Sequence, residues 1–297
     1  MGPWPDDVFP PHQNSAPCLI PCDTPHDDGH IDPSIPRLSD TCPHTCILLN
    51  QNVNGFGRED ENLEKIIESM IASKIHGYCI QETWKLGTFT KTIRGHTVFH
   101  HRINERAPDA KGRNSAGVMI ILGPDLTHAW TRAGKLAPVH SSLSLKFPGR
   151  ILGVTLSFPN ASNRPSDTYH QRAKDSIELF LCSVYHPFDP KEQTEFYDEL
   201  DGFFSQRPRN SELLVGADMN CNLGVRTPMF KDVLGAFGID NCNQKGKDLL
   251  YLLKSNNLKI LLSYFQHANY VTYRTFSAVH SPQILDNFMC CANFSKE

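Results

Sequence analysis

The chain has 297 residues, a formal charge of −3, 39% hydrophobic residues and 21% charged residues. This suits one large domain with a real core, or one domain plus a tail; no run of eighteen apolar residues is present to span a membrane, and the start, Met1-Gly2-Pro3-Trp4, lacks the basic and apolar regions of a secretory signal. The slightly acidic balance excludes nucleic-acid binding through bulk charge alone, so any such binding needs a local basic face or a bound cation.

Residues 1–43 hold ten of the 21 prolines, with many Asp, His and Ser. Such a segment buries too little surface to offset its ordering entropy and is expected to be a disordered tail. Within it Cys18, Cys22, His26 and His30 recur every four residues. Four such ligands can close a zinc site, but Pro21 and Pro25 break any helix that would align them, and no zinc is expected.

Residues 44–297 are apolar and periodic. The run 46–49 reads as a strand entering the turn Asn50-Gln51-Asn52-Val53-Asn54-Gly55. In 61–74, Leu63, Ile66, Ile67, Met70 and Ile71 share one helical face, and Gly77 stands past the end as a stop. A second strand, 77–80, ends at Gln81-Glu82-Thr83. Further strands are predicted at 96–101, 116–122, 142–147, 151–158 and 177–185. A helix over 191–204 carries Phe196, Leu200, Phe203 and Phe204 on one stripe. Residues 211–217 read as a strand ending at Asp218-Met219-Asn220, 247–256 as a helix, and 258–263, 270–274 and 284–289 as the last strands. Many strands with a few helices point to two packed sheets covered by helices. Cysteines 46, 79, 182 and 290 sit in apolar runs and read as buried free thiols, which predicts a reducing, intracellular setting and no disulfide-linked partner.

Polar side chains recur where the apolar strands end: Asn52, Asn54, Glu82, Tyr185, Asp218, Asn220, Thr272 and Asp286. Strand ends and the loops after them are where scaffolds display reactive groups. Each alone is an ordinary turn or surface residue; the joint pattern is what points to a site. Phosphodiester hydrolysis needs a hard cation, a base to relieve water of a proton, and a donor to the developing charge. Glu82 and Asn52 offer oxygen ligands that suit Mg2+, or Mn2+ in its place. Asp218, braced by Asn220, suits the base, and the Tyr185 phenol suits the donor.

The segments Asn52-Val53-Asn54-Gly55, Ile80-Gln81-Glu82-Thr83, Val184-Tyr185-His186-Pro187, Gly216-Ala217-Asp218-Met219-Asn220, Val271-Thr272-Tyr273 and Ile284-Leu285-Asp286-Asn287-Phe288 resemble, in order and spacing, the endonuclease/exonuclease/phosphatase superfamily. The chain looks most like the endonuclease domain of non-LTR (LINE-type) retrotransposons. The resemblance implies an α/β (α+β) four-layered sandwich of two β-sheets flanked by helices (DNase I-like), with the site at one end of the sheets. It implies that Asn52 orients the site near the metal, Glu82 binds Mg2+, Tyr185 contacts phosphate, Asp218 activates water with help from Asn220, and Asp286 orients a histidine. Thr272 would lie near bound DNA, and Asn54 and Arg113 are candidate substrate contacts. The function so implied is DNA nicking, in the nucleus, by part of a retrotransposon polyprotein. Another phosphoesterase of the superfamily, acting on RNA, inositol phosphates or lipid headgroups, and an impaired remnant that only binds, are the alternatives.

Two departures stand out. Phe188 occupies a place where the family often has Asn. The family's closing Ser-Asp-His is missing after Asp286, and His267 and His280 precede that residue, so the domain reads as incomplete at its C-terminus. His186, beside Tyr185, is the first alternative imidazole. The stretch 102–113, with Arg102, Arg106, Lys111 and Arg113, reads as a solvated loop able to follow a phosphate backbone.

Overall fold

In a computed structural model, which describes residues 18–21, 45–56, 61–102, 116–140, 149–159, 176–187, 189, 192–266 and 286–291, the apolar runs pair into two six-stranded sheets. The first contains β1 (Cys18–Pro21), β2 (Thr45–Asn52), β3 (Gly77–Gln81), β4 (Phe89–Ile93), β5 (His96–His101) and β6 (Val118–Leu122), in the order β1-β2-β3-β6-β5-β4. The second contains β7 (Val139–His140), β8 (Ile151–Pro159), β9 (Ser176–Tyr185), β10 (Glu212–Asp218), β11 (Leu258–Ile260) and β12 (Asp286–Cys291), in the order β11-β12-β10-β9-β8-β7. Each sheet has one parallel pair, β2 with β3 and β9 with β10. Loops leaving the carboxyl ends of parallel strands are a recurrent place for ligand sites.

The period-2 alternation of strands explains the layers. Leu48, Cys79, Ile120 and Leu122 from the first sheet meet Leu152, Val154, Leu181, Leu214 and Phe288 from the second, forming the middle of the sandwich. On the outer face of the first sheet, α1 (Glu61–Ala72) lays Leu63, Ile66, Ile67 and Met70 against Tyr78, Ile80, Val98 and Ile121. On the outer face of the second, α3 (Gln193–Phe204) and α4 (Gln244–Ser255) lay Phe196, Leu200, Phe203, Leu249, Leu250 and Leu253 against Phe180, Cys182 and Val215. A fully buried aliphatic or aromatic side chain contributes about 1.5–3 kcal/mol, so these stripes hold the helices on the sheets. The four-layered sandwich expected from the sequence is the observed architecture.

A polar seam crosses the apolar middle layer. The buried Gln81 amide donates to Asn50 Oδ1 (2.8 Å) and Ser183 Oγ (3.1 Å), Asn50 Nδ2 donates to the Ala217 carbonyl (3.1 Å), and Ser183 donates to the Ile80 carbonyl (3.1 Å). All but the Gln81–Asn50 bond run from one sheet to the other, and they demand a close approach. A Cβ on Gly216 would stand 2.6 Å from Cys79 Cβ and 2.7 Å from Asn50 Oδ1. Gly216→Ala is therefore expected to destabilise by about 1–3 kcal/mol through overpacking, seen as a lowered midpoint in thermal denaturation. An unchanged midpoint would mean the sheets separate there without cost.

The structure departs from the sequence reading in several places. Within the proline-rich segment, Cys18–Pro21 pairs antiparallel with β2, opposite residues 45–48; Cys18-Leu19-Ile20 is an apolar run there, and an edge strand needs few residues. The expectation of disorder is corrected for these four residues. Strand β4 and helix α2 (Pro124–Arg132) were not anticipated. Residues 261–264 form a 3-10 turn rather than a continued strand. The predicted strands 142–147 and 270–274, and Cys22, His26 and His30, lie outside the described residues. Cys79, Cys182 and Cys290 are buried and in no disulfide, as expected, while Cys46, also in no disulfide, is only half-buried. Among the described residues no helix is long and apolar enough to cross a membrane.

Candidate active site

The parallel pairs bring their carboxyl ends to one rim of the sandwich. Asn52 is the last residue of β2, Glu82 follows β3, Tyr185 closes β9 and Asp218 closes β10. Asp286 arrives differently. It opens β12, which runs antiparallel to β10, and its Cα stands opposite that of Asp218. The sequence reading set it among strand ends; it is a strand beginning, and antiparallel pairing delivers it to the same rim.

One side chain ties the site together. Asn52 Nδ2 donates to Glu82 Oε1 and to Asp218 Oδ2, each at 2.7 Å, so an amide from the first sheet bridges carboxylates belonging to different sheets. The Asn52 oxygen accepts the Asn54 backbone N–H at 2.9 Å, which fixes the amide's orientation. Asp218 Oδ1 accepts the Asn220 backbone N–H at 3.0 Å, and the Asn220 amide donates to the His186 carbonyl at 3.0 Å. The Tyr185 phenol lies within reach of the Glu82 charge. The Trp84 indole N–H donates to Glu82 Oε2 at 3.2 Å. Asn54, Glu82, Trp84 and Asn220 all take left-handed backbone conformations, with φ of 53°, 53°, 53° and 47°. Such strain in non-glycine residues gathers where a site demands a special geometry.

Burial sets the electrostatics. Asp218 is 3% exposed, and burial raises its carboxyl to about 6. The charge of Glu82 acts in the same direction as burial, while the Asn52 and Asn220 hydrogen bonds and the Arg150 charge oppose the rise. Burial and the Glu82 charge push the Tyr185 phenol upward, so it stays protonated at neutral pH. The Arg150 guanidinium lies 4.7 Å over the centre of the Tyr185 ring and opposes that shift. His186 does not serve the site as an alternative imidazole. Its ring packs on Phe196 and Tyr197, on the helix side of the second sheet, and burial holds it down to about 3.

The donor set suits a hard cation. Two carboxylates share one amide donor, and a cation bound beside them would relieve their mutual repulsion. Mg2+ binds through one or two carboxylates and keeps several waters, so it does not need the three or more His, Cys, Asp and Glu side chains that no group of the described residues assembles. Glu82 is the carboxylate that would hold it. Asn52, expected as a ligand, turns its nitrogen to both carboxylates in this arrangement and its oxygen to the Asn54 backbone N–H.

Of the residues picked from the sequence, Asn52, Glu82, Tyr185, Asp218 and Asn220 converge, Asn54 sits exposed on the rim, and Asp286 is placed there by backbone register. Thr272 and Arg113 lie outside the described residues. Arg102, read as part of a solvated loop, is 2% exposed, and its side chain is buried rather than offered to a phosphate backbone. Sequence reasoning missed Trp84 and Arg150. Only their nearness to Glu82 and to a strand start marked them.

No family model matches the sequence, and no curated protein matches it. Solved structures match in fold. The AP endonuclease LMAP of Leishmania major is 15% identical with a TM-score of 0.52, over 92% of this chain and 84% of that one. The catalytic domain of Xenopus laevis APE2 is 14% identical with a TM-score of 0.48, over 76% and 77%. The endonuclease domain of TRAS1, a telomere-specific non-LTR retrotransposon, is 15% identical with a TM-score of 0.45, over 83% and 85%. The chain thus has a DNase I-like sandwich fold, as seen in the Leishmania AP endonuclease.

Proposed function

We propose that the chain is a divalent-cation-dependent phosphodiesterase that nicks DNA in the nucleus. The observation that carries this reading is the Asn52 amide holding Glu82 and Asp218, carboxylates from two different sheets, at 2.7 Å each. Elaborate satisfaction of two facing carboxylates is costly unless a cation or a proton is meant to join them. A bound Mg2+ or Mn2+ would polarise the phosphoryl oxygen and neutralise the leaving oxygen.

The chain's own groups supply the rest. Asp218, raised to about 6, is mostly ionised at neutral pH yet basic enough to take a proton from an attacking water. Asn220, anchored to the His186 carbonyl, holds the Asp218 carboxylate in one orientation. Tyr185 keeps its proton and donates it as a hydrogen bond to charge developing on the phosphate. Asp286, beside Asp218, completes the rim, and Asn54, Thr272 and Arg113 contact the substrate.

The test is conversion of supercoiled plasmid to nicked circles with Mg2+, with excess chelator, and in Glu82→Gln. Nicking is expected with Mg2+ and none with chelator. Glu82→Gln should need at least several-fold more Mg2+ for its half-maximal rate, since an amide brings no charge to a hard cation. Nicking that survives chelation would overturn the reading. Phosphate release from inositol phosphates with no plasmid nicking would move it to another substrate class.

A further inference from the structure

The Glu82 carboxylate is held from two sides. Asn52 takes Oε1 at 2.7 Å, and the Trp84 indole N–H takes Oε2 at 3.2 Å. The second contact depends on an unusual backbone. Glu82 and Trp84 both have φ of 53°, which curls the chain so that a side chain two residues on reaches back to the carboxylate. Thr83 between them is buried and bonded to His100 Nε2 at 2.8 Å, so the curl cannot relax by letting Thr83 swing out. The Trp84 backbone N–H is tied to the Ala116 carbonyl at 3.0 Å.

The other face of the ring is fixed as well. A Cβ on Gly55 would stand 2.3 Å from Trp84 Cε3, 2.7 Å from Cδ2 and 2.8 Å from Cζ3, so the six-membered ring lies flat on the Gly55 backbone. Gly55 N–H donates to the Glu82 carbonyl at 2.7 Å, and Phe56 N–H to the Thr83 carbonyl at 2.9 Å. The loop carrying Asn52 and the loop carrying Glu82 are thus laced together, with the indole between them. Nothing about packing alone requires the N–H edge to face a carboxylate; a phenyl ring would cover Gly55 as well.

We infer that Trp84 is a positioning residue whose indole N–H keeps the Glu82 carboxylate turned toward Asp218, ready for the cation. The inference rests on the cation-dependent reading above. Without the indole, Glu82 retains Asn52 as a donor, but one oxygen is released and repulsion from Asp218 turns it toward solvent. Groups that orient a metal ligand from behind typically change affinity by about 10–100-fold when removed.

The test measures Mn2+ binding, by the signal of free Mn2+ in paramagnetic resonance, without substrate. Trp84→Phe keeps a ring on Gly55 and deletes the N–H. Its affinity is expected to fall about tenfold while the thermal midpoint and the rate at saturating Mn2+ stay near those of the unchanged chain. In a Glu82→Gln background the same change should cost nothing further. Unchanged affinity, or an equal loss in both backgrounds, would overturn the inference and leave the phosphodiesterase reading standing. No Mn2+ binding by the unchanged chain would sink both. Should Trp84→Phe fail to fold, the unchanged chain still decides: one of its three tryptophan indole N–H resonances should shift as Mg2+ saturates the site, and none should in Glu82→Gln. If no indole resonance moves, the inference fails.

Discussion

Asp218→Asn is expected to lower nicking by about two to four orders of magnitude, the usual contribution of a positioned general base. It should also abolish a pH dependence of stability in the metal-free protein. The Asp218 carboxyl lies at about 6 when folded, against an ordinary value of 3.8, so the folded chain binds the proton more tightly than the unfolded chain. The stability this gives is fully present below about pH 3.8 and is lost as pH rises through about 6. At about 1.4 kcal/mol per unit, the difference of about two units makes the metal-free protein roughly 3 kcal/mol less stable at pH 8 than this group would leave it at low pH. Asparagine does not titrate, so the slope should vanish. It also sets an N–H against Asn52 or Asn220, at a cost that is the same at every pH, so slopes and not absolute values decide. Denaturant unfolding in chelator at several pH values, for both proteins, makes the comparison. A slope that persists in Asp218→Asn would assign the pH dependence to other groups.

Asn52→Ala is the second large effect. It removes the donor shared by Glu82 and Asp218 and leaves two carboxylates facing each other. Two consequences follow with definite signs. Asp218 loses the strongest influence that opposes its raised carboxyl, so its proton is held to higher pH and the rate profile moves alkaline. The carboxylates also lose their common anchor, and nicking should fall by roughly 100-fold or more at pH 7, with part of the loss recovered at pH 9. Buried acceptors left unpaired cost about 1–3 kcal/mol each, so the metal-free midpoint should drop as well. Rates measured across pH for Asn52→Ala and the unchanged chain check this. A uniform loss with an unshifted profile would show that Asn52 acts on substrate rather than through Asp218.

The architecture and much of the site were legible because both rest on local pattern. Runs such as Ser176–Tyr185 and Glu212–Asp218 are too long for turns, and the polar ends of β2, β3, β9 and β10 marked Asn52, Glu82, Tyr185 and Asp218. What escaped depended on partners far away in sequence or on backbone that composition does not reveal. Strand β4 buries no residue fully, so its alternation is faint. Helix α2 buries only Leu126 and Ala129, too few for a stripe. Asn52 reads equally as ligand or spacer until Asp218, 166 residues away, is seen to accept from its nitrogen. Trp84 follows Glu82 as any aromatic might, and only the left-handed turn gives it a role. Asp286 was placed by analogy with strands that end at the rim, whereas the direction of β12 follows from pairing with β10.

The contact between Gly216 and Cys79 lies two residues below Asp218, on the side of β10 that faces the other sheet. The two sheets approach closely beneath the carboxylates, and that approach sets how far Asp218 stands from Asn52. A methyl group wedged there lifts one sheet by a distance comparable to the difference between a hydrogen bond and none. Folding free energy lost at such a position can be regained by substitutions anywhere in the molecule, but the gap cannot. A lineage carrying a bulkier residue at 216 and compensating changes elsewhere would keep a well-folded protein with its chemistry out of register, so drift at this glycine is limited by the spacing of the two layers more than by stability.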